Sequence, residues 1–145
     1  MTNLADTVGR RSKPYPTEIE RGAIRRFAEA VGETDPIFFE VEAARQHGYR
    51  DVVAPPTFAM SLPRHPIPGL KMVAGLIHGE QSFEWGQPIC AGDVITVTDW
   101  VESVRQRSGK FGTMTLVTLA SEGVNQAGER VFRSESVIIW PEGVS

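Results

Sequence analysis

Several things are scarce in this chain of 145 residues, and each scarcity closes a class of function. There is one cysteine, Cys90, so an internal disulfide and a cysteine-based zinc cluster are both excluded. The formal net charge is −3, which leaves no basic footprint for nucleic acid or for an anionic membrane surface. The opening residues MTNLADTVGRRSKPYP contain no long apolar run, so neither a signal peptide nor a membrane-spanning helix is expected, and a cytoplasmic protein is the default. No repeat, low-complexity tract or long linker divides the chain, so one domain over residues 1–145 is expected. Histidines and carboxylates do not cluster at ligand spacing, and no glycine-rich loop stands between a strand and a helix. The sequence therefore suggests no metal and no cofactor.

What is present is an ordinary globular composition, 41% apolar and 23% charged, long enough to bury a core. In TEIERGAIRRFAEAVG, Thr17 and Glu20 fit a capping box. Ile24, Phe27, Ala28 and Val31 then recur on one helical stripe, and Gly32 suits a left-handed stop. A helix over Glu18–Val31 is predicted. EVEAARQHG reads as a short helix ended by Gly48, with His47 as a C-terminal cap. PPTFAMSLP reads as another helix, bounded by Pro63, and PRHPIPG as a loop that leaves His65 solvated. From Met72 the period changes to two. MVAGLIHGEQSFEW is read as a strand with bulges or close backbone approach at Gly75 and Gly79. DVITVTDWVESVRQR, TMTLVTLASEGVN and RVFRSESVIIW follow as strands, separated by the turns QPICAGD, SGKFG and NQAGER. Short turns imply antiparallel neighbours, hence a four-strand meander, with a fifth strand expected from residues 5–15. The apolar segment TFAMSL is the expected cover for the sheet's inner face.

This layout, together with AVGETDP, EAARQHGYRDVVAPPTF and above all HGEQSFEWGQPICAGDVI, resembles the MaoC-like dehydratase/hydratase family. The resemblance spans almost the whole chain. It is closest to the N-terminal-type domain, which includes the non-catalytic subunit of heterodimeric (3R)-hydroxyacyl-thioester dehydratases. The resemblance implies an α+β hot-dog fold: a curled antiparallel sheet of about five strands around a central helix, with an additional N-terminal helix and an overhanging segment. It also implies an acyl-CoA or acyl carrier protein thioester as substrate, and a homodimer or a heterodimer with a catalytic MaoC-like chain. The reaction it implies is reversible addition of water to a trans-2-enoyl thioester.

Active members of that family carry a motif close to G-D-x-N-P-x-H, whose Asp and His hold one water and move its protons. Here the motif falls on Gly32 to Phe38. Glu33 keeps a carboxylate at the Asp position, Asp35 replaces Asn, and Phe38 replaces the His and cannot transfer a proton. The family's A-H-G-like turn, whose backbone N–H groups polarise the thioester carbonyl, corresponds to Ala54, Pro55 and Pro56. Proline has no N–H to offer. The candidate acid/base residues are therefore Glu33, Asp35 and His78, the last beside Gly79 and Glu80. The candidate substrate contacts are Phe38, Pro55, Pro56, Thr57, Phe58 and Gly79. Each also has a structural reading. Glu33 and Asp35 follow a helix end and precede a proline, where Asp commonly makes turns; His78 suits a half-buried strand histidine; Asp93 suits a turn that opens a strand. Three functions stay open: a subunit needing a catalytic hot-dog partner, a self-sufficient hydratase or thioesterase using Glu33 or His78, and a non-catalytic acyl-thioester binder.

Overall fold

The structure is a computed structural model and describes residues 3–110 and 112–141. One antiparallel sheet of five strands forms its body: β1 (Tyr15–Glu18), β2 (Ile77–Trp85), β3 (Val94–Gly109), β4 (Gly112–Val124) and β5 (Arg130–Pro141). Two helices, α1 (Arg21–Ala30) and α2 (Val41–Gln46), lie between β1 and β2. The spatial order is β1-β3-β4-β5-β2.

The alternation in the sequence produces the long strands directly. Ile95, Val97 and Val101 of β3 are buried on one face, and Val97 lies opposite Gly123 of β4 in register. Gly123 in turn faces Phe132 of β5, and a Cβ at Gly123 would overlap the Phe132 ring. The glycine thus makes room for the largest fully buried side chain of the core. Irregular pairing between Val101 and Ser103, between Gly123 and Val124, and between His78 and Glu80 bends the sheet. The last of these is the bulge expected at Gly79.

Two apolar clusters fill the concave face. One joins Ile24 of α1, Val52, Phe58, Ile95, Val97 and Phe132; the other joins Ile67, Val101, Val117, Ile138 and Trp140. Phe27 of α1 meets Phe58 edge-on, with ring centres 5.6 Å apart. This geometry is favoured by the ring quadrupoles.

Several expectations are corrected. Helix α1 begins at Arg21, because Tyr15–Glu18 pairs with Val94–Val97 as an edge strand. Thr17 therefore caps nothing: its hydroxyl is buried without a partner among the described residues, and Glu20 makes no side-chain cap. The fifth strand is this one, not residues 5–15; Leu4–Thr7 is a 3-10 turn, and only Arg11 adds an isolated bridge, to Trp100. The strand expected from Met72 begins at Ile77. Strands β3, β4 and β5 form a meander, but β2 pairs with β5. QPICAGD is not a hairpin turn. It crosses the mouth of the sheet, where Gly92 N–H donates to Ile19 and Ala91 N–H to Val52.

The segment that takes the place of the central helix, Pro56–Ser61, is a 3-10 helix. Pro55 and Pro56 supply no N–H at its entry, and Pro63 stops it soon after, so a long α-helix cannot be completed here. His65 is half-buried, not solvated, and its ring stacks obliquely on Tyr15 at 4.6 Å. The turn expected at SGKFG includes Phe111, which lies outside the described residues. No helix among the described residues is long and apolar enough to cross a membrane.

Candidate functional site

The overhanging segment is built from short, capped pieces. Gly32 closes α1 at a φ of 79°, in the left-handed region expected for it. Glu33 N–H then donates to Ala28 at 2.9 Å, which turns the chain back across the helix end. The Asp35 carboxylate accepts from Ile37 N–H at 3.1 Å and caps the 3-10 turn Pro36–Phe38. Helix α2 ends at Gly48, where φ is 88°. His47 donates from Nδ1 to the Ala43 carbonyl at 2.9 Å, in keeping with its reading as a cap. Val53 N–H then donates to Ile37 within the segment, and two further backbone bonds fasten it to the sheet's mouth: Ala54 to Ile89 and Ala91 to Val52.

These pieces enclose a cleft of about 420 Å³, lined by Ile37, Phe38, Tyr49, Val53 to Pro56, Trp85 to Ile89, and Val131. Of the expected substrate contacts, Phe38, Pro55 and Pro56 stand on this lining. Trp85 closes one side and stacks on Phe83, with ring centres 4.6 Å apart. Gly86 forms part of the floor: its N–H donates to Val131, and a Cβ there would overlap the Arg130 carbonyl oxygen. Close approach of two backbones requires a glycine at that position. Among the described residues of the lining, Tyr49 is the one titratable side chain.

The other expected residues lie elsewhere. Thr57 is exposed, and Phe58 is buried in the core against Phe27. Gly79 sits in the β2 bulge against Ile139. His78 is exposed on β2, and its Nε2 donates to the Glu80 carbonyl at 3.0 Å. Asp35 is exposed and Glu33 half-buried, and neither hydrogen-bonds His78 within the chain.

The tightest electrostatics lie behind the cleft. Asp93 is fully buried and accepts from Arg50 at 2.7 Å, from Cys90 N–H at 2.9 Å and from Gln126 at 3.0 Å. Asp93 does close a turn: its own N–H donates to Cys90 and its carbonyl accepts from Ile19. Its reach to Arg50 and Gln126 goes beyond that turn and joins three separate segments. The Arg50 guanidinium is pushed above its ordinary pKa, chiefly by this hydrogen bond. Nearby, Arg21 grips Asp51 with two bonds of 2.9 and 2.7 Å. The Asp51 carboxyl is held below its ordinary value, first by the Arg21 hydrogen bond. Burial pushes the Cys90 thiol up, which keeps it protonated and unreactive.

Sequence reasoning missed the wall contributed by Tyr49, Trp85, Gln87 and Pro88. The signal was the string EWGQPI, where a large aromatic precedes a glycine and a proline at a strand end. It also missed Arg50 and Gln126 as partners of Asp93, since such pairings join residues far apart in sequence.

Residues 6–134 match the family described as "FAS1-like, dehydratase domain region". A UPF0336 protein of Streptomyces griseus is 39% identical over 133 residues, covering 86% of this chain and 85% of that protein. Among solved structures, the C-terminally truncated HadBC (3R-hydroxyacyl-ACP dehydratase) complex of Mycobacterium tuberculosis is similar with a TM-score of 0.75 at 26% identity, over 93% of this chain and 98% of that one. A MaoC-like dehydratase of Rhodospirillum rubrum is similar with a TM-score of 0.72 at 27% identity, over 94% of both chains. The five-stranded curled sheet is thus a hot-dog fold.

Proposed function

The chain belongs to the FAS1-like dehydratase domain family of MaoC-like hot-dog proteins, and from that premise we propose that it is a substrate-binding dehydratase subunit needing a catalytic hot-dog partner. The partner would supply the acid/base pair for interconversion of (3R)-hydroxyacyl and trans-2-enoyl thioesters. This chain would supply an apolar wall for the acyl group of an acyl-CoA or acyl carrier protein thioester.

One observation carries the reading: the cleft walled by Phe38, the residue at the motif's histidine position, has no Asp, Glu, His, Lys or Arg among its described lining residues. Water addition needs two groups of different proton affinity around one water. A tyrosine with no second titratable group beside it in the lining does not make such a pair. The entry at Pro55 and Pro56 also lacks the backbone donors that would polarise a thioester carbonyl. An apolar wall suits the opposite task. It takes up an alkyl chain by burying it from water, at about 25 cal/mol per Å².

Pairing is supported by strand β2. It ends the sheet, so one edge carries unpaired backbone groups, which favours addition of another strand. Ile77 is 52% exposed and Trp85 49%, large apolar surfaces on that same strand. The similar HadBC structure is named as a complex of a (3R)-hydroxyacyl-ACP dehydratase, which fits a two-chain enzyme.

The test is to purify the chain alone and assay hydration of crotonyl-CoA and longer enoyl-CoA substrates. Turnover at least about 10²-fold below that of a complete hydratase is expected, because a general acid/base is missing. A raised melting temperature with acyl-CoA is expected alongside it. Full turnover by the lone chain would overturn the proposal. Its loss in Glu33→Gln or His78→Ala would then assign the chemistry to those side chains.

A further inference from the structure

A ligand held in the Phe38 cleft must find partners for its polar atoms, and the backbone of the cleft has little left to give. Ile37 and Phe38 N–H donate to Asp35, Val53 to Ile37 and Ala54 to Ile89. Gly86 donates to Val131 and Gln87 to Arg130. Pro55, Pro56 and Pro88 have no N–H. Hydrogen bonds to a ligand therefore fall mainly to side chains. Three of the lining can donate: the Tyr49 hydroxyl, the Trp85 indole N–H and the Gln87 amide.

Tyr49 differs from the other two in how it is held. Trp85 and Gln87 are exposed, whereas Tyr49 is half-buried. Its N–H donates to the Ala44 carbonyl at 3.1 Å, just after the left-handed Gly48. On its other side the Arg50 guanidinium donates to the buried Asp93 at 2.7 Å, and the Arg50 carbonyl accepts from Arg45 Nε at 3.2 Å. The residue is thus fixed from both sides, while its hydroxyl makes no hydrogen bond with any described residue. A donor held in place beforehand loses little freedom when an acceptor arrives.

Tyr49 also marks a change of surface. A second cavity, of about 400 Å³, adjoins the cleft and shares Tyr49, Gln87 and Pro88 with it. Its remaining wall carries Arg50, Asn125, Gln126 and Glu129, whereas the cleft side carries no charged side chain. An acyl thioester changes in the same way at its carbonyl: an alkyl chain lies on one side and a polar carrier arm on the other.

We propose that the Tyr49 hydroxyl donates a hydrogen bond to the thioester carbonyl and so fixes where the acyl chain ends and the carrier arm begins. This inference rests on the acyl-thioester reading given above. It makes Tyr49 a specificity-determining residue, and its phenol takes up a task that Pro55 and Pro56, without N–H groups, cannot perform.

The test is calorimetric titration of the whole chain with octanoyl-CoA and with S-octyl-CoA, the thioether that lacks the carbonyl. The unaltered chain is expected to bind the thioester about fivefold tighter than the thioether, the usual worth of one net hydrogen bond. In Tyr49→Phe that preference disappears. Thioester binding falls to the level of the thioether, and thioether binding is unchanged, which also shows that the variant is folded. Should that variant fail to fold, Tyr49→Met is used for the same comparison. Equal binding of the two compounds by the unaltered chain would overturn this inference and leave the reading of the cleft intact. A preference retained in the variant would do the same and pass the role to Trp85 or Gln87. Binding of neither compound would overturn both.

Discussion

Two pairs of carboxylates bracket the same stretch of chain, and they differ in almost every physical respect. Glu33 and Asp35 are the carboxylates that the resemblance proposes for acid/base chemistry, yet Asp35 is exposed and its carboxylate caps a turn. Asp51 and Asp93 stand where no chemistry was expected. Asp93 is fully buried with three donors, and Asp51 is gripped by both arms of one guanidinium. Here they hold the cleft in place from behind. The strong electrostatics of this region serve position.

The largest expected effect breaks that comparison at Asp93. Asp93→Ala leaves the Cys90 N–H and the Gln126 amide without their acceptor and releases Arg50 from the mouth of the sheet. A loss of about 3 kcal/mol is expected, since a buried charged acceptor is removed and its donors stay behind. Chemical denaturation with one probe in the sheet reads it directly. A loss under about 1 kcal/mol would show that Asp93 is an ordinary turn residue, as its place in AGD suggested.

This asymmetry explains what could be read in advance. Strands β3, β4 and β5 were legible because apolar residues such as Ile95, Val97 and Val101 face a core that the alternation announces. Phe38, Pro55 and Pro56, singled out because they depart from the motif's pattern, do share one cleft lining. Thr17 misled because a hydroxyl three residues before a glutamate fits a capping box equally well when the backbone is recruited into an edge strand. The place of β2 was not legible either. Local turn logic sets it beside β3, whereas QPICAGD is used to bind Ile19, Val52 and Ala54 and so sends the chain to the far edge. The hold of Asp93 was hidden for the same reason: Arg50 and Gln126 come near it only after folding.

A smaller effect sharpens the comparison through pH. The folded-state pKa of Asp51 lies below its ordinary value because Arg21 hydrogen-bonds the ionised form. Its contribution is therefore complete above the ordinary carboxylate range, near pH 4, and is lost as pH falls through the lowered folded value. Asp51→Asn is expected to leave the melting temperature at pH 7 lower by a modest amount, since Arg21 is exposed and solvent screens the pair. The gap between variant and wild type should close on acidification below about pH 4. A gap that stays constant with pH would mean that Asp51 acts through packing and not through its charge.

The smallest expected effect falls on Glu33, the residue that the motif marks most strongly. Its side chain makes no hydrogen bond or ion pair with any described residue; only its backbone N–H is engaged, with Ala28. Glu33→Gln keeps the shape and removes the charge, so stability should change by less than about 0.5 kcal/mol. Acyl-CoA stabilisation of the lone chain should be unchanged, because the cleft contacts come from Phe38 and its neighbours. A tenfold or larger loss of turnover in the two-chain enzyme, with that stabilisation intact, would place the carboxylate on the reacting water and turn Glu33 from a turn residue into a catalytic one. An unchanged turnover leaves the contrast with Asp93 complete: the carboxylate on the inherited motif can be neutralised freely, and the one outside it cannot.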